Sequence, residues 1–190
     1  LLNFIWATHG IWLTSSTVTD SDIQGLIAGQ GTPSNTNDHY DLISAFIKSM
    51  RGSDENASLY WLARLLKGGE DPVFIWRRLM IFASEDIGLA DPVALQLAGS
   101  LKHAVDHIGM PEVQINLAHV TAYFARAPKS NESYMGIKQA NTQIDQGVMH
   151  KVPDHLRDAH YKGAKRMGFG DGYVYPHSDP KKAKNQSYLE

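Results

Sequence analysis

From Asp38 onward the apolar residues fall on stripes of helical spacing, and polar punctuation separates one stripe from the next. The spacing predicts a first helix over 38–51, with Leu42, Ile43, Phe46, Ile47 and Met50 on one face and Gly52 as its stop. Ser53 is placed to cap a second helix that runs to the glycine pair Gly68–Gly69. Its apolar residues Leu59, Tyr60, Trp61, Leu62, Leu65 and Leu66 cover most of the circumference, which predicts a central helix touched on several sides. Asp71-Pro72 opens a third helix, because a first-turn proline lacks only an N–H that has no partner there. Ile75, Trp76, Leu79, Met80 and Ala83 form its stripe. Asp91-Pro92 repeats the device for a fourth helix, carrying Ala94, Leu97, Ala98, Leu101, Ala104, Val105 and Ile108 and ending at Gly109. Pro111 begins a fifth that Pro128 ends, and Ser130 or Asn131 caps a sixth through Tyr134, Ile137 and Ile144 to Gly147.

The flanks read differently. Residues 1–36 combine a short helix end, the β-rich run "IWLTSSTVT" and a capping-box pair, Thr19 and Asp22. The polar stretch "GQGTPSNTND" then reads as a linker. The chain opens at Leu1 inside an apolar periodic segment and without a methionine, as though cut from something longer. Beyond Gly147, prolines, glycines and aromatics predict an extended segment, a short helix near 158–167, a tail pinned by Phe169, Tyr173 and Tyr175, and ten frayed residues at the end. The expected architecture is all-α, a multi-helix bundle-like domain over 37–190, preceded by a small piece over 1–36 with a short β element.

Composition narrows the chemistry. The 190 residues are 43% hydrophobic, enough for one good core, and contain no cysteine, which excludes thiol redox catalysis, thiolate metal sites and disulfides. A soluble protein of a reducing compartment fits best, with no membrane span in the short apolar start. A net charge of -2 gives no broad positive field. Nucleic-acid contact would have to be local, through Lys48 and Arg51, Arg77 and Arg78, Lys129, Arg157, or Lys162, Lys165 and Arg166. For each cluster taken alone, solvated charges on helix faces are the favoured reading.

The stretch "ASEDIGLADP" asks whether Glu85 and Asp86 do chemistry. They fall in the last turn of the third helix, Gly88 supplies its left-handed stop, and Asp91-Pro92 starts the next helix after a short corner. Acids at a helix C-terminus are disfavoured by up to about 1 kcal/mol, so a cation should sit nearby. Arg78 is two turns away, about 12 Å of rise, too far for a direct pair. Lys129, Arg157 or a basic side chain of a neighbouring subunit are the candidates, and the stretch reads as a structural corner rather than a catalytic pair.

Other chemical signals are weak. No "GxxxxGK[ST]" loop occurs, and the glycines at 168, 170 and 172 do not have dinucleotide-cradle spacing. His103 and His107 share a helix face, but the glutamate of H-E-x-x-H is missing, and imidazolium near a helix C-terminus complements the dipole. Asp-His occurs at 38–39, 106–107 and 154–155, yet the His-Asp order of helical metal-dependent phosphohydrolases is absent. Ser84 lacks a "GxSxG" elbow and a placed histidine. Trp61, Trp76, Tyr60 and Phe74 could stack bases, but beside leucines at helical spacing they read as core.

The collinear set "HYDLISAFIKSMRGSDENASLYWLARLLKGGEDPVFIWRRLMIFASEDIGLADP", "RAPKSN", "VPDHLRDA" and "MGFGDGYVYPH" closely resembles the C-terminal half of the replication-associated recombination protein A (RarA, MgsA) family. These AAA+ ATPases are related to clamp loaders and to the Werner-helicase-interacting protein. The resemblance runs from about His39 to Pro180, with residues 1–36 like the end of the ATPase lid. It implies a parent that hydrolyses ATP in a DNA-dependent way at stalled forks, with ATP and Mg held upstream of Leu1 and neither cofactor nor catalytic residue in this segment. It also implies a helical region that assembles a homotetramer, with DNA and other replication proteins as partners and a cytoplasmic, nucleoid-associated bacterial setting. Three classes of function compete: an oligomerisation and regulatory region, a helical nucleic-acid-binding domain, and a helical metal hydrolase.

Overall fold

The computed structural model describes residues 36–189, without the side chains of residues 36–38 and Lys165. Seven α-helices and no strand occur among the described residues: α1 (Thr36–Arg51), α2 (Glu55–Lys67), α3 (Pro72–Phe82), α4 (Val93–His107), α5 (Val113–Arg126), α6 (Glu132–Asp145) and α7 (Pro180–Ala183). The all-α expectation holds. The β-rich run, the Thr19 cap and the linker residues before Thr36 lie outside the described residues, whereas the last three residues read as linker, 36–38, belong to the first turn of α1. The chain divides into two compact units, Leu1–Met135 and Gly136–Glu190.

In the first unit the predicted stripes become the core. Phe46, Met50, Ile75, Leu79, Phe82, Ala94, Ala98, Val113, Leu117 and Phe124 are wholly or almost wholly buried, and Phe82 stacks on Phe124 with ring centroids 5.9 Å apart. The central helix is α5, which packs against α1, α2, α3 and α4. Sequence periodicity assigned that place to α2, but Tyr60 on α2 is 57% exposed, and α2 turns its buried Ser58, Leu62 and Leu65 toward α1 and α5. Apolar residues around a whole helix therefore overstated its burial. Trp61, Phe74 and Trp76 pack half-buried against the core, and the Trp76 indole N–H donates to the Ala98 carbonyl at 2.8 Å.

The caps follow local chemistry, with small corrections. Asp54, not Ser53, caps α2, its carboxylate accepting from Ala57 N–H at 2.9 Å, while Ser53 takes a positive φ of 61° in the turn. Asp71 caps α3 through Val73 N–H at 2.9 Å, with Pro72 in the first turn as expected. Asp91 accepts from Val93 N–H at 3.1 Å at the start of α4, and its second oxygen accepts the Tyr123 hydroxyl at 2.6 Å, tying α4 to α5.

The second unit is built mostly of turns. Where a short helix was expected near 158–167 there is only a 3-10 turn, Ala164–Met167, and a second 3-10 turn, Asp154–Leu156, interrupts the preceding stretch that was expected to be extended. Phe169 is buried, but Tyr173 and Tyr175 are exposed, so the tail is not pinned by the tyrosines. Its anchors are Gly170 N–H to the Asp154 carbonyl at 2.8 Å and Val174 N–H to the Gln186 side chain at 2.7 Å. The final residues are also more ordered than the composition predicts: Asp179 caps α7 through Lys182 N–H at 3.0 Å. Gly170 has φ +81°, and a Cβ there would lie 2.8 Å from the Ala159 Cβ. Gly170→Ala should lower stability by about 1–3 kcal/mol, measured by urea unfolding, whereas Gly147→Ala, with open space around it, should cost only the backbone strain of its positive φ, about 1 kcal/mol.

Candidate functional site

Beyond Phe82 the third helix does not stop at once. It widens into a π turn, Ala83–Ile87, closed by Gly88 N–H bonding back to the Ala83 carbonyl, and then tightens into a 3-10 turn, Gly88–Ala90. Such widened turns occur where a side chain must be re-aimed, often at functional sites. Here Ala83, Asp86 and Ile87 all turn inward, leaving the Asp86 side chain only 10% exposed. A carboxylate so buried requires a cation and a full set of donors.

The cation is Arg51, in the last turn of α1. Its Nε donates to Asp86 Oδ1 at 2.5 Å and its Nη2 to Oδ2 at 3.0 Å, a planar fork on a planar carboxylate. Glu85 stands 3.8 Å from the same guanidinium. The hydrogen bond to Asp86 is the main reason the Arg51 pKa is raised, against an opposing effect of burial. Lys129 is nearby but faces the backbone, donating to the carbonyls of Ala125 at 3.1 Å and Ala127 at 2.6 Å, and to Ser53 Oγ at 3.3 Å. Burial lowers the Lys129 pKa, and the Asp86 charge partly restores it.

The backbone completes the corner. Ser130 N–H donates to the Asp86 carbonyl at 2.8 Å. Gly88 has φ +51°, and a Cβ on it would lie 2.9 Å from the Ser130 carbonyl oxygen, so the link between α5 and α6 runs directly over it. The end of α1, the π turn and the Pro128–Ser130 link thus meet around one carboxylate. The fork engages both Asp86 oxygens, and no group of three or more His, Cys, Asp or Glu able to hold a metal ion occurs among the described residues. Sequence reasoning named Lys129, Arg157 or a neighbouring subunit as the partner of Asp86. Arg51, 35 positions earlier, was read only as part of a surface cluster.

The remaining residues singled out in the sequence do not converge. Lys48 and Arg77 are exposed on α1 and α3, and Arg78 is half-buried with its Nε enclosed and without a hydrogen-bond partner. Arg157 lies in the second unit, its guanidinium 3.6 Å from the centroid of the Phe169 ring. Arg166 is exposed, and the Lys165 side chain lies outside what is described. His103 and His107 have ring centroids 4.1 Å apart, and His107 Nδ1 lies 2.8 Å from the His103 carbonyl, so that nitrogen carries the proton and is spent on its own helix. Asp91 and Pro92 serve the start of α4, as described above. Periodicity also did not reveal the fork from Arg126 to Glu55, at 2.5 and 2.7 Å, which joins the end of α5 to the start of α2.

Comparison with known proteins decides the family. The family described as MgsA AAA+ ATPase C terminal matches residues 52–190. The chain belongs to that family. An AAA domain-containing protein of Mycobacterium tuberculosis is 54% identical over 150 residues, covering 79% of this chain and 33% of the relative. Replication-associated recombination protein A of Bacillus subtilis is 45% identical over 151 residues, covering 80% and 36%. ATPase WRNIP1 of Dictyostelium discoideum is 42% identical over 151 residues, covering 79% and 17%. The chain therefore spans about a third, or less, of the length of these MgsA-type relatives.

Two expectations follow for the corner and its neighbour. Asp86→Asn should lower stability by about 1–3 kcal/mol, and Arg51→Ala should cost far less in that background than in the wild type, a coupling that a double-mutant cycle in urea measures directly. The Glu55 carboxyl is held below its usual 4.5 by the Arg126 hydrogen bond. A lowered folded-state pKa stabilises above the unfolded value, and that contribution disappears as pH falls through the lower folded value. Glu55→Gln should therefore remove a small increment of acid sensitivity from a plot of Tm against pH.

Proposed function

We propose that this segment is the C-terminal oligomerisation and regulatory region of a DNA-dependent AAA+ ATPase acting in replication-fork maintenance and recombination. ATP and Mg belong to a domain outside this sequence, and the bacterial relatives point to a cytoplasmic setting. The family match and the names of its members support the ATPase and recombination parts of this reading.

The observation that carries the assembly part is α6. This helix of 14 residues has no buried residue. Two of its apolar side chains form one seam, Ile137 61% and Ile144 54% exposed, with Val148 42% exposed just beyond the helix end. Gly136 and Ala140 lie beside that seam and permit close backbone approach. A helix this short, containing Gly136, Asn141 and Thr142, is marginal in water unless an amphipathic face is packed. A second copy of α6 fits the seam: antiparallel pairing about residues 140–141 sets Ile137 of one copy opposite Ile144 of the other and buries apolar surface on both.

Sedimentation equilibrium tests the proposal. The wild-type chain should be tetrameric at micromolar concentration, and Ile137→Glu and Ile144→Glu should each shift it toward smaller species while far-UV circular dichroism keeps the signal of α1–α5. A strictly monomeric wild type, or glutamate variants that assemble normally, would overturn it.

A further inference from the structure

α4 ends in a pair of exposed histidines that take no part in the core. His103 and His107 are four residues apart, so a rise of about 6 Å and a shared helix face bring them together. Their ring centroids lie 4.1 Å apart, with planes inclined by 36°. The flank is open: Gly99, one turn earlier, has no atom within 4 Å of the place a Cβ would take. In the sequence the pair lacks the glutamate of H-E-x-x-H, which removes a general base for hydrolysis but removes no ligand.

The tautomer of His107 is fixed by its own helix. A carbonyl oxygen only accepts, so the 2.8 Å contact of Nδ1 with the His103 carbonyl places the proton on Nδ1 and leaves the lone pair of the neutral ring on Nε2. A histidine bound in this way to a backbone carbonyl has the orientation and raised basicity of a metal ligand. The His103 ring makes no hydrogen bond among the described residues, so its nitrogens are free to turn toward the same point. Local charge favours a cation. Lys102 is paired with Asp106 and drawn over the Trp76 ring, 5.2 Å from its centroid, and the last carbonyls of α4 put partial negative charge at this end.

We propose that His103 and His107 bind one divalent transition-metal ion, Cu(II), Ni(II) or Zn(II), through one ring nitrogen each. Bonds of about 2.0–2.1 Å to a tetrahedral ion set two nitrogens about 3.4 Å apart, a spacing that rings with centroids 4.1 Å apart can present. Imidazole suits these ions, whereas Mg and Ca prefer oxygen donors. Two ligands are fewer than the three protein ligands of catalytic zinc sites, so water fills the remaining positions and the ion stays exchangeable. The pair is in register only while residues 103–107 are helical, so the ion also holds the end of α4 in its folded form. Binding here depends neither on assembly through α6 nor on the ATPase reading.

Isothermal titration calorimetry of the untagged 190-residue chain with NiCl2, in a buffer that does not coordinate metal, tests this. The wild type should show one site that CuCl2 fills more tightly than NiCl2 and that MgCl2 does not occupy. His103→Ala and His107→Ala should each weaken it about tenfold or more, because one imidazole is left where two acted together. His119→Ala, which alters an exposed histidine of α5, should change nothing. Both ligands are exposed, so their alanine variants should unfold at the wild-type temperature without metal. Saturating NiCl2 should then raise the Tm of the wild type by about 5 °C and leave theirs in place. No binding at about 1 mM NiCl2, undiminished binding by either alanine variant, an equal response to MgCl2, or a Tm rise shared by His103→Ala would each overturn the proposal.

Discussion

A carboxylate buried at the end of a helix is tolerated only if charge and hydrogen-bond donors are brought to it, and Asp86 organises the first unit by that requirement. Its partner arrives from α1 as the Arg51 fork, and its own carbonyl receives Ser130 N–H from the link that leads into α6. The π turn supplies the geometry by turning Ala83, Asp86 and Ile87 inward together. Gly88 lets the link pass directly over the turn, because any side chain there would strike the Ser130 carbonyl. The desolvation cost of Asp86 is thus offset by contacts that also fix where three segments lie.

Polar links of the same kind fasten the helices around α5. Tyr123 joins α5 to the Asp91 carboxylate that also begins α4, and Arg126 joins the end of α5 to Glu55 in the first turn of α2. Lys129 then caps carbonyls at the end of α5, those of Ala125 and Ala127. Apolar burial supplies the driving force for collapse, but it is non-directional. The paired groups select one register, since a slip of one helical turn would strand a buried carboxylate or a hydroxyl.

The two units use their residues differently. The first buries apolar stripes between long helices, while the second holds turns together by backbone hydrogen bonds and one buried phenylalanine, leaving tyrosines and lysines outward. The conspicuous surface feature among the described residues is the α6 seam, where Ile137 and Ile144 are more than half exposed.

Much of the helical frame was legible because its signals are local. Asp71-Pro72, the glycine stops and the three-and-four spacing of Ile75, Leu79 and Phe82 act within one or two turns, so the sequence alone determined where helices form and which face is apolar. The family resemblance was equally readable from collinear motifs. What the tertiary structure decided was everything that depends on distant segments. Periodicity shows that a face is apolar but not how many neighbours cover it, which is why α5 rather than α2 is central and why Ile137 and Ile144 stay uncovered. Nor does periodicity reveal that Asp86 finds Arg51 across 35 residues, since an ion pair depends on the path of the whole chain, whereas a cap depends only on its nearest peptide groups.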